Sequence, residues 1–301
     1  MKSSIRTLLS HAIDYAGLFP PAELDMNSST RNYHAYRIGP HGWMLGRFVV
    51  PVSRLEEFNF SVLELVDNTG EKLTWKLSAL TGSNLGADVE RIHRFNRWHA
   101  GRGANGSAVI DVVEVKASSA AFIETAGRII PRSLKTHFEM PVDVTPVALV
   151  KAIARLNAGA KVRTGGATPD VIPRSLDLAR FLVACQLRAL PFKATAGLRH
   201  PICSVRPLGN EPGGPVTRTY GFLNLFLAAA FVDDGMSEVE VVEVLDEESA
   251  DAFVFDDCGV RWHGRFVSAE VLEQVRHRFA ISFGSCSFDD PIQGLKGLGF
   301  M

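Results

Sequence analysis

From residue 43 to residue 196, strand-like and helix-like runs alternate six times without a break. That alternation narrows the fold more than any single motif. Strand-like runs at 43–51, 72–80, 107–115, 134–140 and 160–164 are each followed by a helix-like run, at about 53–65, 87–99, 119–129, 146–157 and 175–190, and 192–196 begins a sixth unit. Strands separated by helices must be joined by crossovers, which predicts a parallel sheet of right-handed βαβ units. Beyond the sixth strand the rhythm fails: residues 199–220 hold four prolines and several glycines, a connection long enough to be a lid or binding loop.

Helices are expected at 222–232 and 237–248, then two short strands, 252–255 and 260–266, around a Cys258-Gly259 turn. One of these is taken as strand seven. Ser268 caps a helix running through Arg278, with Glu270 and Glu273 near its start. Residues 279–283 form strand eight, and a last helix covers 291–298. Eight strand–helix steps in 301 residues predict an α/β protein, a (β/α)8 TIM-like barrel filling 1–301 as one domain. An open doubly wound sheet is the alternative. The N-terminal stretch MKSSIRTLLSHAIDYAGLFPPAE reads as a helix entering a turn at Pro20-Pro21. Asp14 then sits at a helix end, either plugging the barrel bottom or reaching the site.

Composition removes several function classes. A formal charge of −1 gives no basic field for nucleic acid. The longest apolar run, 222–232, is too short for a bilayer, which needs about 20 residues. Arg6, His11 and Asp14 interrupt what an export signal would require to be apolar. Cys185, Cys203, Cys258 and Cys286 lie far apart, the pattern of reduced cytoplasmic thiols. A homo-oligomer is compatible with all of this.

The informative feature is charge inside strands. Residues two apart share a face, so Lys135, His137 and Glu139 point one way, as do Lys161, Arg163 and Gly165, and again Lys193, Thr195 and Gly197. Arg47 and Lys76 fall within strands one and two, and Glu114 and Lys116 end strand three. Strands buried on both faces should be almost continuously apolar, and an unpaired buried charge is costly. Convergence on one wet cavity at the C-terminal face explains the pattern, with structural ion pairs in the interior as the alternative reading. Arg47, Lys76, Lys161, Arg163 and Lys193 outnumber Glu114 and Glu139, so a small anionic metabolite is expected to complete the balance. The amides of Gly165 and Gly166 are available to an oxyanion, and Arg199 and His200 open the long loop as substrate contacts.

Residues 191–198, PFKATAGL, resemble the Schiff-base strand of the deoxyribose-phosphate-aldolase-like class I aldolases. These carry Lys-x-Ser/Thr-x-Gly on the sixth barrel strand, matched by Lys193, Thr195 and Gly197 on the strand counted sixth here. The resemblance implies a carbon–carbon lyase without cofactor, acting on a small anionic carbonyl compound. Lys193 would attack as the neutral amine, Glu139 or His137 would move protons, and Arg163 with the Gly165 and Gly166 amides would hold the anion. The family's second lysine lies on strand seven and its acid, an aspartate, on strand four. By the present count Lys161 is on strand five, and no aspartate holds the strand-four position. The segments DYAGLFPPA, KVRTGG, PFKATAGLRHP and FGSCSFDDP also resemble a widespread family of uncharacterised bacterial barrel-like proteins.

Other signals point less far. Gly101 to Gly106 matches GxGxxG but follows a helix and precedes a strand, the reverse of a dinucleotide turn. There is no P-loop, HExxH or GxSxG. His137 and Glu139 with Asp256, Asp257 or His200 would be needed for a metal-assisted hydrolase or lyase. Cys286 is a small buried thiol unless a base activates it. A non-catalytic binder of an anionic metabolite would use the same cations as the lyase.

Overall fold

The computed structural model describes residues 1–69, 74–101, 108–142, 147–166, 168–208 and 215–301. The strand and helix starts expected at residues 72, 107 and 146, and the GxGxxG run from 102 onward, lie outside the described residues. Eight parallel strands close a barrel in chain order: β1 (Ile13–Tyr15), β2 (Leu45–Pro51), β3 (Trp75–Leu80), β4 (Ala108–Lys116), β5 (Lys135–Met140), β6 (Gly159–Arg163), β7 (Phe192–Thr195) and β8 (Ala280–Ser285). β8 pairs back onto β1, with Asp14 opposite Gly284. This is the (β/α)8 TIM-like architecture.

Two of the eight strands differ from the sequence expectation. The N-terminal helix is α1 (Ser3–Leu9), and Ile13–Tyr15 is barrel strand β1, fully buried, not a helix running into a turn. Three residues are too few to display a period of two, which is why Ile-Asp-Tyr does not read as a strand. Conversely, the region expected to supply strand seven forms no part of the barrel. Residues Val254–Phe255, Gly259–Trp262 and Arg265–Ser268 make a separate antiparallel sheet. The hairpin turn at His263 and Gly264, both at positive φ, sets this antiparallel pairing. The total of eight stands, but the six strands expected first each move up by one while the eighth keeps its place: Lys161 is on β6 and Lys193 on β7.

The outer faces of the strands supply the apolar packing. Val113, Val115, Phe138, Met140, Val162, Phe192 and Phe283 are all buried and alternate with the polar residues of the inner face. Outside them lie α2 (Met26–Ile38), α3 (Leu55–Thr69), α4 (Leu85–Ala100), α5 (Ala120–Ile129), α6 (Val147–Arg155) and α7 (Ser175–Gln186). α8 (Phe222–Asp233), followed by α9 (Glu238–Asp246), is apolar on every side except at Asn224 and buried along nearly its whole length, as such a helix must be. Its Phe222 stacks on Phe283 of β8 at 5.1 Å. Between β7 and α8 the long connection contains a hairpin, Ser204–Pro207 with Val216–Thr219. Buried Asn224 ties that connection down: its side-chain oxygen accepts from the Cys203 amide, and its amide nitrogen donates to the Val244 and Glu247 carbonyls.

Candidate functional site

Inward-facing charges from five strands meet inside the barrel. Register places Lys161 beside Lys193, Glu139 beside Lys161, and Ser282 beside Lys193. The Lys193 ammonium contacts Asp14 Oδ2 at 2.8 Å, Ser78 Oγ at 3.2 Å, and one oxygen of Glu114. The other Glu114 oxygen lies 2.7 Å from Lys161 Nζ, which also reaches Glu139 Oε2 at 2.8 Å. Ser78 donates to Glu114 and Ser282 donates to Asp14. The result is one chain of alternating charge, Asp14–Lys193–Glu114–Lys161–Glu139, ending at Arg163, 3.5 Å from Glu139 Oε1. Side-chain exposure rises along it, from 1% at Asp14 to 13% at Glu139 and 46% at Arg163. The open end is therefore the C-terminal mouth.

The electrostatics follow from this pairing. Burial alone would raise the Glu114 carboxyl, but Lys161 and Lys193 outweigh it and hold the group well below its usual range. Burial likewise opposes charge on Lys193, yet Asp14 and Glu114 more than offset that and keep it above its ordinary value. This is the reverse of the depressed amine expected from the sequence. The expected excess of cations is also corrected, because Asp14 and Asp111 supply anions the strand pattern did not reveal. Arg47 is clamped by both oxygens of Asp111 at 2.6–2.7 Å. Lys76 is exposed and stands outside the cluster.

His137 does not join the proton path expected of it. Both ring nitrogens are buried without a hydrogen-bond partner, and the residue faces the opposite end of the barrel among the starts of β5 and β6. Burial first, and then the Lys193 charge, push its pKa down to about 3. The imidazole is thus neutral when folded and protonates near the ordinary value of 6.5 when unfolded. Its contribution is present above 6.5 and lost as pH falls toward 3. Unfolding free energy is expected to drop by about 1.4 kcal/mol per pH unit through that window from this group alone. Urea titrations of wild type and His137→Leu between pH 4 and 7 check this, the variant having the shallower slope.

At the C-terminal mouth, Gly165 and Gly197 are explained by contact. A Cβ on Gly165 would lie 2.5 Å from the Gly197 Cα, and Gly197 has φ +80. The Thr164 hydroxyl donates to the Ala196 carbonyl at 2.6 Å, locking the β6 and β7 turns together. Gly166 packs on Val171, and Thr195 is half-buried beside Gly284. Arg199 is held by Asp290 at 2.6 Å, and His200 is pushed down by burial and by Arg206 and Arg199. Burial raises the Cys286 thiol, with Arg199 only partly opposing, which disfavours the thiolate a nucleophile needs.

The metal-ligand set considered from sequence does not assemble. His137 faces the N-terminal end and His200 follows β7, while Asp256 and Asp257 lie in the turn between the first two strands of the outer sheet, engaged with Arg261 and with Ser3. Among the described residues no three His, Cys, Asp or Glu side chains group as a metal site. No described helix is long and apolar enough to cross a membrane. No family model, curated protein or solved structure matches the chain.

The strand pattern carries Glu114, Glu139, Lys161, Arg163 and Lys193; it leaves Asp14 open between the barrel bottom and the site, and gives no sign of Ser78, Asp111 and Ser282. The signal for Asp14 was a lone carboxylate between Ile13 and Tyr15, visible only if those three residues are read as strand.

Proposed function

We propose that the protein is an aldolase-like carbon–carbon lyase that forms an imine with a small anionic carbonyl compound, and that Lys161 rather than Lys193 is the nucleophile. The observation that carries this is the buried Lys161–Glu114–Lys193 bridge, with its lysines on β6 and β7 and its carboxylate on β4. The deoxyribose-phosphate-aldolase-like enzymes place their Schiff-base lysine, second lysine and acid on those same three strands. With Lys161 on β6 and Lys193 on β7 neither lysine is displaced relative to that family, and Glu114 on β4 stands where the family has aspartate, which supports the reading. The local match at Lys193, Thr195 and Gly197 then falls on the second-lysine strand.

Lys161 is the better placed of the two amines. Lys193 has three acceptors around it, whereas Lys161 has two and adjoins Glu139, which opens toward Arg163. Passing a proton from Lys161 to Glu139 frees the amine to add to the carbonyl carbon. Return of that proton to the carbinolamine oxygen expels water and leaves the iminium. Cleavage of the neighbouring carbon–carbon bond then sends its electron pair into an enamine, while a carboxylate takes the β-hydroxyl proton. Arg163, with exposed Lys116 across from Glu139 on β4, suits a substrate carboxylate or phosphate.

Enamine formation predicts a reaction that needs no acceptor aldehyde. In D2O, the protein should exchange the α-protons of one or more 2-keto acids or aldehyde phosphates. The rate should be at least about a hundredfold above buffer, read by proton NMR. A panel that binds and is recovered with all its protons would contradict the reading and favour a non-catalytic binder.

A further inference from the structure

We propose that the N-terminal end of the barrel, opposite to Arg163, is a second ligand site, built around His137 and Arg276 for a small phosphate-type oxyanion. A cavity of about 850 Å³ lies there, walled by α1, by the starts of β5, β6 and β8, and by the end of α10 (Ala269–Arg278). Among the described residues five arginine and lysine side chains line it, Arg6, Arg47, Lys135, Arg276 and Arg278, against the one carboxylate of Glu273. Arg47 and Arg278 are already tied to Asp111 and Asp233. Among the described residues no carboxylate lies within ion-pair distance of the other three, although the Lys135 charge also acts on Asp111.

Arg276 is the least compensated. It is only 8% exposed, and among the described residues no carboxylate pairs with it. Its guanidinium donates to the carbonyls of Ala280, Ile281 and Ser10 and stacks on Phe226, while Nε has no partner. A buried guanidinium held only by neutral groups is costly unless an anion joins it. Its pKa is accordingly pushed down to about 10. His137, 5% exposed, lies over Gly159, with its two nitrogens also unsatisfied. A neutral imidazole offers one donor and one acceptor on diverging nitrogens. Protonated phosphate carries both O–H and charged oxygens, so it suits whichever nitrogen meets the ligand, in either tautomer, and also a guanidinium on the same cavity wall; a carboxylate suits only the N–H.

The inference is independent of the lyase reading, since the two sites use different side chains at different ends. Its test follows the Cε1–H NMR signal of His137, assigned with a His137→Leu variant, as inorganic phosphate is added at constant ionic strength. A saturable shift with half-effect below about 10 mM is expected, and about a fivefold to tenfold weaker response in Arg6→Gln and Lys135→Gln. Both of those side chains are exposed, so the variants retain the fold. Chloride shifting the signal equally, no saturation by 50 mM (about five times the expected half-effect), or unchanged affinity in both variants would overturn the proposal. Malonate serves as the carboxylate arm, and tighter binding of malonate than of phosphate would overturn the phosphate assignment.

Discussion

Glu114→Gln is expected to destabilise the fold by about 3–5 kcal/mol, the range for removing one partner of a buried ion pair. The change is nearly isosteric, so the loss is electrostatic. Two ammonium groups, each nearly enclosed, give up the carboxylate between them and keep only Asp14 and Glu139 at the ends. Lys193→Met in the same background removes one of the stranded charges. The double variant should therefore be more stable than the sum of the single effects, by at least about 1 kcal/mol. Urea denaturation of the four proteins measures the coupling, and additivity within about 0.5 kcal/mol would mean that the chain of charges does not act as a unit. Acid sensitivity follows with a definite sign. Because the folded Glu114 pKa lies below the usual 4.5, its contribution is complete above that pH and is lost as pH falls through the folded value. In Glu114→Gln that part of the acid-induced loss disappears.

Much of the fold was legible because parallel barrel strands buried against helices carry strong local signals. Outer-face residues such as Val113, Phe138 and Val162 are apolar, and the helices between them are long and capped, as at Ser119 and Ser268. What failed was the assignment of short elements. β1 has three residues and no pattern of its own; closure of the sheet between β8 and β2 makes it a strand, a constraint no local window contains. The 254–268 sheet has strand-like composition, and only its His263-Gly264 turn marks it as antiparallel and off the barrel.

These two errors cancelled in the strand count but not in the site. With β1 missing, Asp14 was absent from the inner face and the cluster looked cationic. With the numbering shifted, Lys193 counted as a sixth-strand and Lys161 as a fifth-strand residue, where the barrel has them on β7 and β6. Convergence of Glu114, Glu139, Lys161 and Lys193 was nonetheless readable, because period-two alternation fixes which residues share the interior. Their protonation was not readable, since it depends on which carboxylates face which amines across non-adjacent strands. Arg276 was beyond reach for a similar reason. On a helix with Arg and His on every side, nothing local separates the one guanidinium that turns into the core from its exposed neighbours.

The assignment of Lys161 leads to the second large effect. Lys161→Met should lower α-proton exchange by about 10³-fold or more, as expected when a covalent nucleophile is lost. Lys193→Met should retain part of the rate, because it removes a neighbour of Glu114 and not the bond-forming amine. Both substitutions unbalance the buried chain, so folding of each is confirmed by circular dichroism before rates are compared. The covalent bond itself is the more direct readout. Borohydride reduction in the presence of an exchanging carbonyl compound, followed by peptide mass mapping, should place a single reduced adduct on Lys161 and none in Lys161→Met. An adduct on Lys193, on a surface lysine, or on no lysine while exchange proceeds would contradict the account.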